Sequence, residues 1–180
     1  MGYGFAGFVG LGKETTWGTP VAVTDYMEAF SESLTVAIDR FDVKNVIGRF
    51  SEPDDIAGIK RAGGDITFPG HPTGLGFLLN SAFASRSLTV VLSGYLFKNT
   101  FLPATADFAS DSPVVPNTLE IFRDVTSSHR YAGSVVDKLL FSIKPNQDLR
   151  CVAGFISKTS SIVAKSTASF PGSSADPFTF

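Results

Sequence analysis

Two histidines, one cysteine and a scatter of carboxylates are the residues of this chain best suited to chemistry. His71 stands between Gly70 and Pro72, and His129 opens the run His129-Arg130-Tyr131. Neither has a second His, Cys or carboxylate at a metal-ligand spacing. His71 therefore reads as closing a turn and His129 as a loop-to-strand junction, with no metal assigned to either. Cys151 has no intramolecular disulfide partner, and its neighbours Val152 and Ala153 mark it as a small buried hydrophobe rather than a reactive thiol. Asp54-Asp55 offers a carboxylate pair for acid-base work. Adjacent carboxylates in a charged loop are more often separately solvated, and adjacency alone does not make a shared proton. The Ser-rich segments hold no G-x-S-x-G elbow, so a hydrolase triad has no local signal.

Two glycine patterns invite a phosphate reading. Gly2-Tyr3-Gly4-Phe5-Ala6-Gly7 spells G-x-G-x-x-G, but no strand precedes it and no helix pattern follows. A dinucleotide site needs both, because the helix N-terminus supplies the field and the N–H groups that hold the pyrophosphate. Gly7, Gly12 and Lys13 approach a phosphate loop, yet Glu14 stands where Ser or Thr should bind magnesium, and a carboxylate there repels the phosphates. No cofactor is expected, and the chain reads as a non-enzyme.

Bulk properties fit that reading. The 180 residues suit one domain with a sizeable core, 43% are apolar, and 17 Phe stand against a single Trp. A formal charge of -2 gives no general attraction for polyanions. No apolar run approaches the roughly 18 residues of a membrane helix, so no membrane span is expected. The start lacks the basic and apolar blocks of a signal peptide, which makes cytoplasmic synthesis the default.

The elements are mostly of period 2. Residues 63–83 hold a short strand (Asp65 to Phe68), a turn on Pro69-Gly70-His71-Pro72, and a helix over about 73–84. Leu75, Leu78, Leu79, Ala82 and Phe83 fall at i, i+3, i+4, i+7 and i+8, one apolar stripe that must lie on a sheet. Ser33 to Asp39 alternates as a half-buried strand, with Leu34, Val36 and Ile38 on one side. Leu88 to Leu92 and Tyr95 to Phe101 flank a tight turn at Ser93-Gly94. Further strands are expected at 118–125, 135–143 and 149–158. Residues 102–116, with three prolines, suit a surface excursion. Residues 1–20 read as an N-terminal arm, 21–160 as the β domain, and 161–180 as a Ser/Ala-rich tail or the start of a further segment. Ending on what looks like a new strand suggests a longer parent chain.

Between Asp39 and Arg61 lie ten charged residues of both signs, broken by Gly48, Pro53 and Gly58. No period survives there, so about 39–62 is expected to be a long charged loop or extended hairpin. One reading is a solvated loop. The other is electrostatic matching to another copy of the chain, through Arg40, Asp42, Lys44, Arg49, Glu52, Asp54, Asp55, Lys60 and Arg61.

Three stretches together resemble the major tail tube proteins of long-tailed bacteriophages. They are Gly12 to Pro20, with its Glu-Thr-aromatic-Gly-Thr opening; Gly63 to Pro72 with Gly74 to Leu79 after it; and Tyr131 to Leu139 followed by the strand through Phe155-Ile156-Ser157. The resemblance covers most of residues 10–160. It implies a mainly β fold, a two-sheet sandwich or partial barrel with one packed helix. It further implies a structural virion protein, made in the host cytoplasm and placed in the tail. Its copies would form hexameric or trimeric pseudo-hexameric rings stacked into a tube. Tape measure and tail terminator proteins would be its partners, and double-stranded DNA would pass without specific binding. A different class, a carbohydrate- or host-binding β-sandwich module of a virion, should expose aromatics from several loops. The alternating Phe residues argue against it.

Overall fold

A computed structural model describes residues 6–41, 56–93, 96–103 and 115–170. In chain order the elements are β1 (Phe8–Lys13), β2 (Asp25–Met27), β3 (Ser31–Glu32), β4 (Thr35–Phe41), β5 (Ile56–Pro69), α1 (Pro72–Phe83), β6 (Ala84–Leu92), β7 (Leu96–Pro103), β8 (Asn117–Phe122), β9 (Ser127–Ser142), β10 (Arg150–Ser157) and β11 (Thr159–Ala164). The main sheet runs β2-β1-β8-β9-β10-β5-β3, with β4 also on β5 and β11 also on β9; β6 and β7 form a separate hairpin.

The long antiparallel ladder of β9 is the spine. Its second half pairs with β10 from Ser142↔Arg150 to Val135↔Ile156, and its first half pairs with β11 from Ala132↔Thr159 to Ser127↔Ala164. The other neighbours each cover half of this ladder. β8 reaches along β9 only to Asn117↔Ser134, and β5 lies along β10 only as far as Ala62↔Ser157. The sheet therefore has two leaves, β2-β1-β8 with the first half of β9 and β11, and the second half of β9 with β10, β5, β3 and β4. Gly133, at φ 66, and a register shift at Gly154/Phe155 mark where the ladder bends from one leaf to the other. Bulged, twisted strands shared by two leaves curl a sheet into a half-barrel.

The hollow is filled from both leaves. Val9, Leu11, Leu119, Ile121 and Tyr131 come from the first, Ile66, Phe68, Cys151, Ala153 and Phe155 from the second, and Leu34 and Leu78 join them. Helix α1 caps this core. Pro at its first turn suits a helix start, and Ala84 ends it in the left-handed region at φ 63, donating its N–H to the Asn80 carbonyl. Leu78 is buried, and Leu75 and Phe77 pack on the core. The packed face departs from the expected stripe at Ala82 and Phe83, which are exposed, while Leu79 is half-buried. Ser81 takes the inner place: its hydroxyl bonds to the Phe77 carbonyl at 3.0 Å and accepts from Asn117 Nδ2 at 3.1 Å. That buried polar contact turns the helix by part of a residue spacing, which hydrophobic periodicity does not register.

An expected arm is in part a strand. Residues 8–13, expected within an N-terminal arm, form β1 between β2 and β8, buried from Phe8 to Gly12. Their glycines serve close packing rather than flexibility: a Cβ on Gly12 would stand 2.6 Å from the Ala22 carbonyl oxygen, where residues 21–24 cross the strand. The stretch at about 39–62, expected as a long charged loop or extended hairpin, is a hairpin at its described ends, since β4 and β5 remain paired out to Phe41↔Ile56. Ladder hydrogen bonds satisfy the backbone there whatever the side-chain pattern, so mixed charges do not break the strands. Residues 42–55 lie outside the described residues. The strand expected at 33–39 is also split: Leu34 is wholly buried, but Val36 and Ile38 on β4 are exposed.

Candidate assembly surfaces

The β6–β7 hairpin is amphipathic across its width. Leu88, Val90 and Phe97 lie on one face, with Val90 and Phe97 directly paired. Leu88, Val90, Val91, Leu92, Phe97 and Leu102 are all between 51% and 59% exposed. A two-stranded hairpin is marginal in water by itself, and exposed apolar side chains grouped in this way set the hairpin apart from a solvated one. The distal β4–β5 hairpin also has Ile38, Phe41, Ile56 and Ile59 exposed, and among the described residues no third strand runs beside β5 beyond Ala62. An open strand edge is a place where another strand can pair.

The two leaves differ on their outer faces. Residues 165–170 lie over the first leaf. There Ser166 donates through its N–H and its hydroxyl, each at 2.9 Å, to the buried carboxylate of Glu120, and Lys165 sits 4.2 Å above the Phe122 ring. Arg130 also donates to Glu120 at 3.1 Å. Burial raises the Glu120 pKa, but the bonds from Ser166 and Arg130 help to outweigh it and hold the carboxyl below its ordinary value. Phe8, Tyr26 and Phe122 cluster beneath this strap. The second leaf carries no such cover among the described residues. On it Lys138 reaches across Gly154 to Asp65 at 3.0 Å, and Leu140 and Ile156 are exposed.

A third arrangement lies at the corner of β9 where the leaves meet. The carboxylate of Glu14, 2% exposed, accepts hydrogen bonds from Thr118 Oγ1 at 2.7 Å, Gly133 N at 2.9 Å and Gly18 N at 2.8 Å. Trp17 Nε1 donates to the Gly133 carbonyl at 3.0 Å, and Lys158 Nζ lies 4.4 Å above the indole. The sequence sets Glu14 apart only as a misfit in a phosphate loop; the signal for its role is a lone carboxylate ending a buried strand, followed by an aromatic and a glycine. Arg123 is a second residue whose role pattern reading misses. It holds Glu32 by two bonds, at 2.7 and 2.9 Å, and the Leu34 carbonyl at 2.7 Å, pinning β3 and its kink to the end of β8.

The expected contact residues are divided. Arg40 lies on β4, and Lys60 and Arg61 on β5, with Arg61 3.3 Å from Asp39 in an exposed ion pair. Asp42, Lys44, Arg49, Glu52, Asp54 and Asp55 lie outside the described residues. His71 precedes α1, 3.8 Å from the Glu28 carboxylate, and His129 is within β9. Cys151 is fully buried and burial pushes its thiol up to about 11. Among the described residues no group of three His, Cys, Asp or Glu stands where it could hold a metal, and no helix is long and apolar enough to cross a membrane.

The fold has counterparts in solved assemblies. A chain of the cryo-EM structure of the anti-feeding prophage baseplate, 6-fold symmetrised, superposes with a TM-score of 0.51 at 6% identity, over 88% of this chain and 92% of that one. A chain of the extracellular contractile injection system PVC sheath/tube terminator in its extended state gives 0.50 at 10% identity, over 89% and 94%. At these identities the likeness is one of fold. No curated protein sequence matches. Residues 4–180 match the family described as phage tail tube protein.

Proposed function

We propose that this chain, which belongs to the phage tail tube protein family, closes into rings through its uncovered hairpins and stacks those rings into the tube of a virion tail. It is a structural tail tube protein. The observation that carries the proposed assembly is the β6–β7 hairpin, whose apolar face is open in the single subunit. Fully covering one Leu, Val or Phe side chain is worth about 1.5–3 kcal/mol. Several per contact, repeated around a closed ring, favour association over a bare surface. The free edge of β5 beyond Ala62 supports side-by-side joining, in which a neighbour continues the sheet.

In this arrangement the outer face of the second leaf lines the lumen. The strap over the first leaf favours the second for the role, and the Asp65–Lys138 pair leaves the bare face with its central charges compensated. Double-stranded DNA then passes without phosphate contacts that would hold it. Rings are hexameric or trimeric and pseudo-hexameric, and tape measure and terminator proteins complete the tail. The charged stretch from Arg40 to Arg61 matches ring to ring, supported by the protrusion of β4 and β5 as a paired hairpin. The protein has no enzymatic role. Electron microscopy of the purified protein over a concentration series, paired with its mass in solution, tests the proposal. Rings or hollow tubes are expected; a monomer at every concentration, also when tail initiation proteins are added, overturns it.

A further inference from the structure

We propose that Glu14 is a positioning residue for ring closure: its carboxylate holds the corner of β9 at which the two leaves meet, and with it the curvature at which one subunit meets the next. The inference rests on the tube reading above. Its basis is where the hydrogen bonds of this one side chain go. Thr118 is on β8, Gly133 is the bend of β9, and Gly18 belongs to the turn that follows β1. Both polar groups of the Gly133 peptide segment are thus held from the same side, the N–H by Glu14 and the carbonyl by Trp17. Lys158, stacked on Trp17, also donates its backbone N–H to the Ala132 carbonyl at 3.1 Å, at the junction of β10 and β11. One carboxylate therefore ties together the end of β1, β8 and the corner of β9, and Trp17, bonded to the same corner, meets the junction of β10 and β11 through Lys158.

The chemistry explains why the residue is Glu. Three convergent donors need acceptors and no donor, which an ionised carboxylate alone provides among side chains of this length. A plug that merely filled space would leave the Gly133 and Gly18 N–H groups without acceptors. Gly133 stands at φ 66, so the corner is a sharp backbone feature that must be held in place, not an averaged bend. The two leaves are the walls of a wedge, and identical wedges close a ring of defined number only at one angle.

Glu14→Gln and Thr118→Val test the proposal. The first puts an amide N–H₂ against one of the donors, and the second removes one donor at nearly constant volume, together with the acceptor of the Val21 N–H. Each variant is checked for a folded monomer by circular dichroism and sedimentation, then assembled and imaged for tube diameter and rotational symmetry beside the unaltered protein. Folded variants that give tubes of shifted or mixed diameter, or rings that fail to close, are expected. A folded variant with tubes of unchanged diameter and symmetry overturns the proposal, and so does failure of both variants to fold, which would make the contact one of stability only. Absence of tubes from the unaltered protein strikes the tube reading itself, and is seen independently of either variant.

Discussion

Replacing Val90 and Phe97 together by Ala perturbs the uncovered hairpin where its two strands face one another. In the subunit these side chains are 54% and 51% exposed, so roughly half of their apolar surface is still available to a neighbour. Taking about half of the 1.5–3 kcal/mol for full burial gives ~1 kcal/mol for each, or ~2 kcal/mol per contact for the pair. At 1.4 kcal/mol per tenfold, the critical concentration for tube growth should rise ~30-fold. The subunit itself should lose only the cross-strand pair, about 0.2–1 kcal/mol. Pelleting of tubes across a dilution series measures the first quantity and urea unfolding of the unassembled subunit the second. An unchanged critical concentration would refute the reasoning. A subunit destabilised by several kcal/mol would refute it differently, by placing the hairpin in a core of its own chain.

The remaining expectations concern the core, the strap, the thiol and the charged stretch. Leu78→Ala should cost about 2–5 kcal/mol in urea unfolding, because it empties a site that is 1% exposed, whereas Phe83→Ala, at 39% exposed, should cost much less; equal losses would mean the helix packs on another face. Glu120 is held below the ordinary carboxylate pKa, so its contribution to stability is complete above that value and is lost as pH falls through the lower folded value. Glu120→Gln should therefore flatten the acid limb of the stability-pH curve, and an unchanged acid limb counts against the strap contact. Cys151 should react with a thiol reagent near neutral pH only as fast as the protein unfolds, since its thiol is pushed up to about 11 and is buried; rapid labelling of folded protein would contradict the placement. Deleting residues 42–59 should leave a folded subunit that forms no extended tubes, and normal tubes from the deletion would remove the ring-to-ring role of the charged stretch.

The β character, the single helix and the family resemblance are legible because they rest on local patterns: period 2, a Pro-started helix, and the turn at Gly133. What escaped pattern reading depends on contacts between distant segments. β1 looks like a glycine-rich arm because its glycines answer to residues 21–24 crossing over it, a contact invisible along the chain. The helix face differs at Ala82 and Phe83 because Ser81 meets Asn117, 36 residues away. Glu14 is the clearest case. Its partners Thr118 and Gly133 are 104 and 119 residues distant, so a carboxylate that holds the corner between the leaves looks in sequence like a mistake in a phosphate loop. The expected contact residues of the charged stretch are legible only as charge, and of those described Arg61 pairs with Asp39 of its own chain.

Central to the account is the claim that surfaces left open in the subunit are closed by other copies. The most direct measurement is a cryo-EM map of the assembled tube at a resolution that shows side chains. The account predicts a neighbouring subunit packed over Leu88, Val90 and Phe97, with the second leaf, carrying Asp65 and Lys138, facing the lumen. A tube in which the β6–β7 hairpin projects bare into solvent, or in which the first leaf lines the channel, would contradict it.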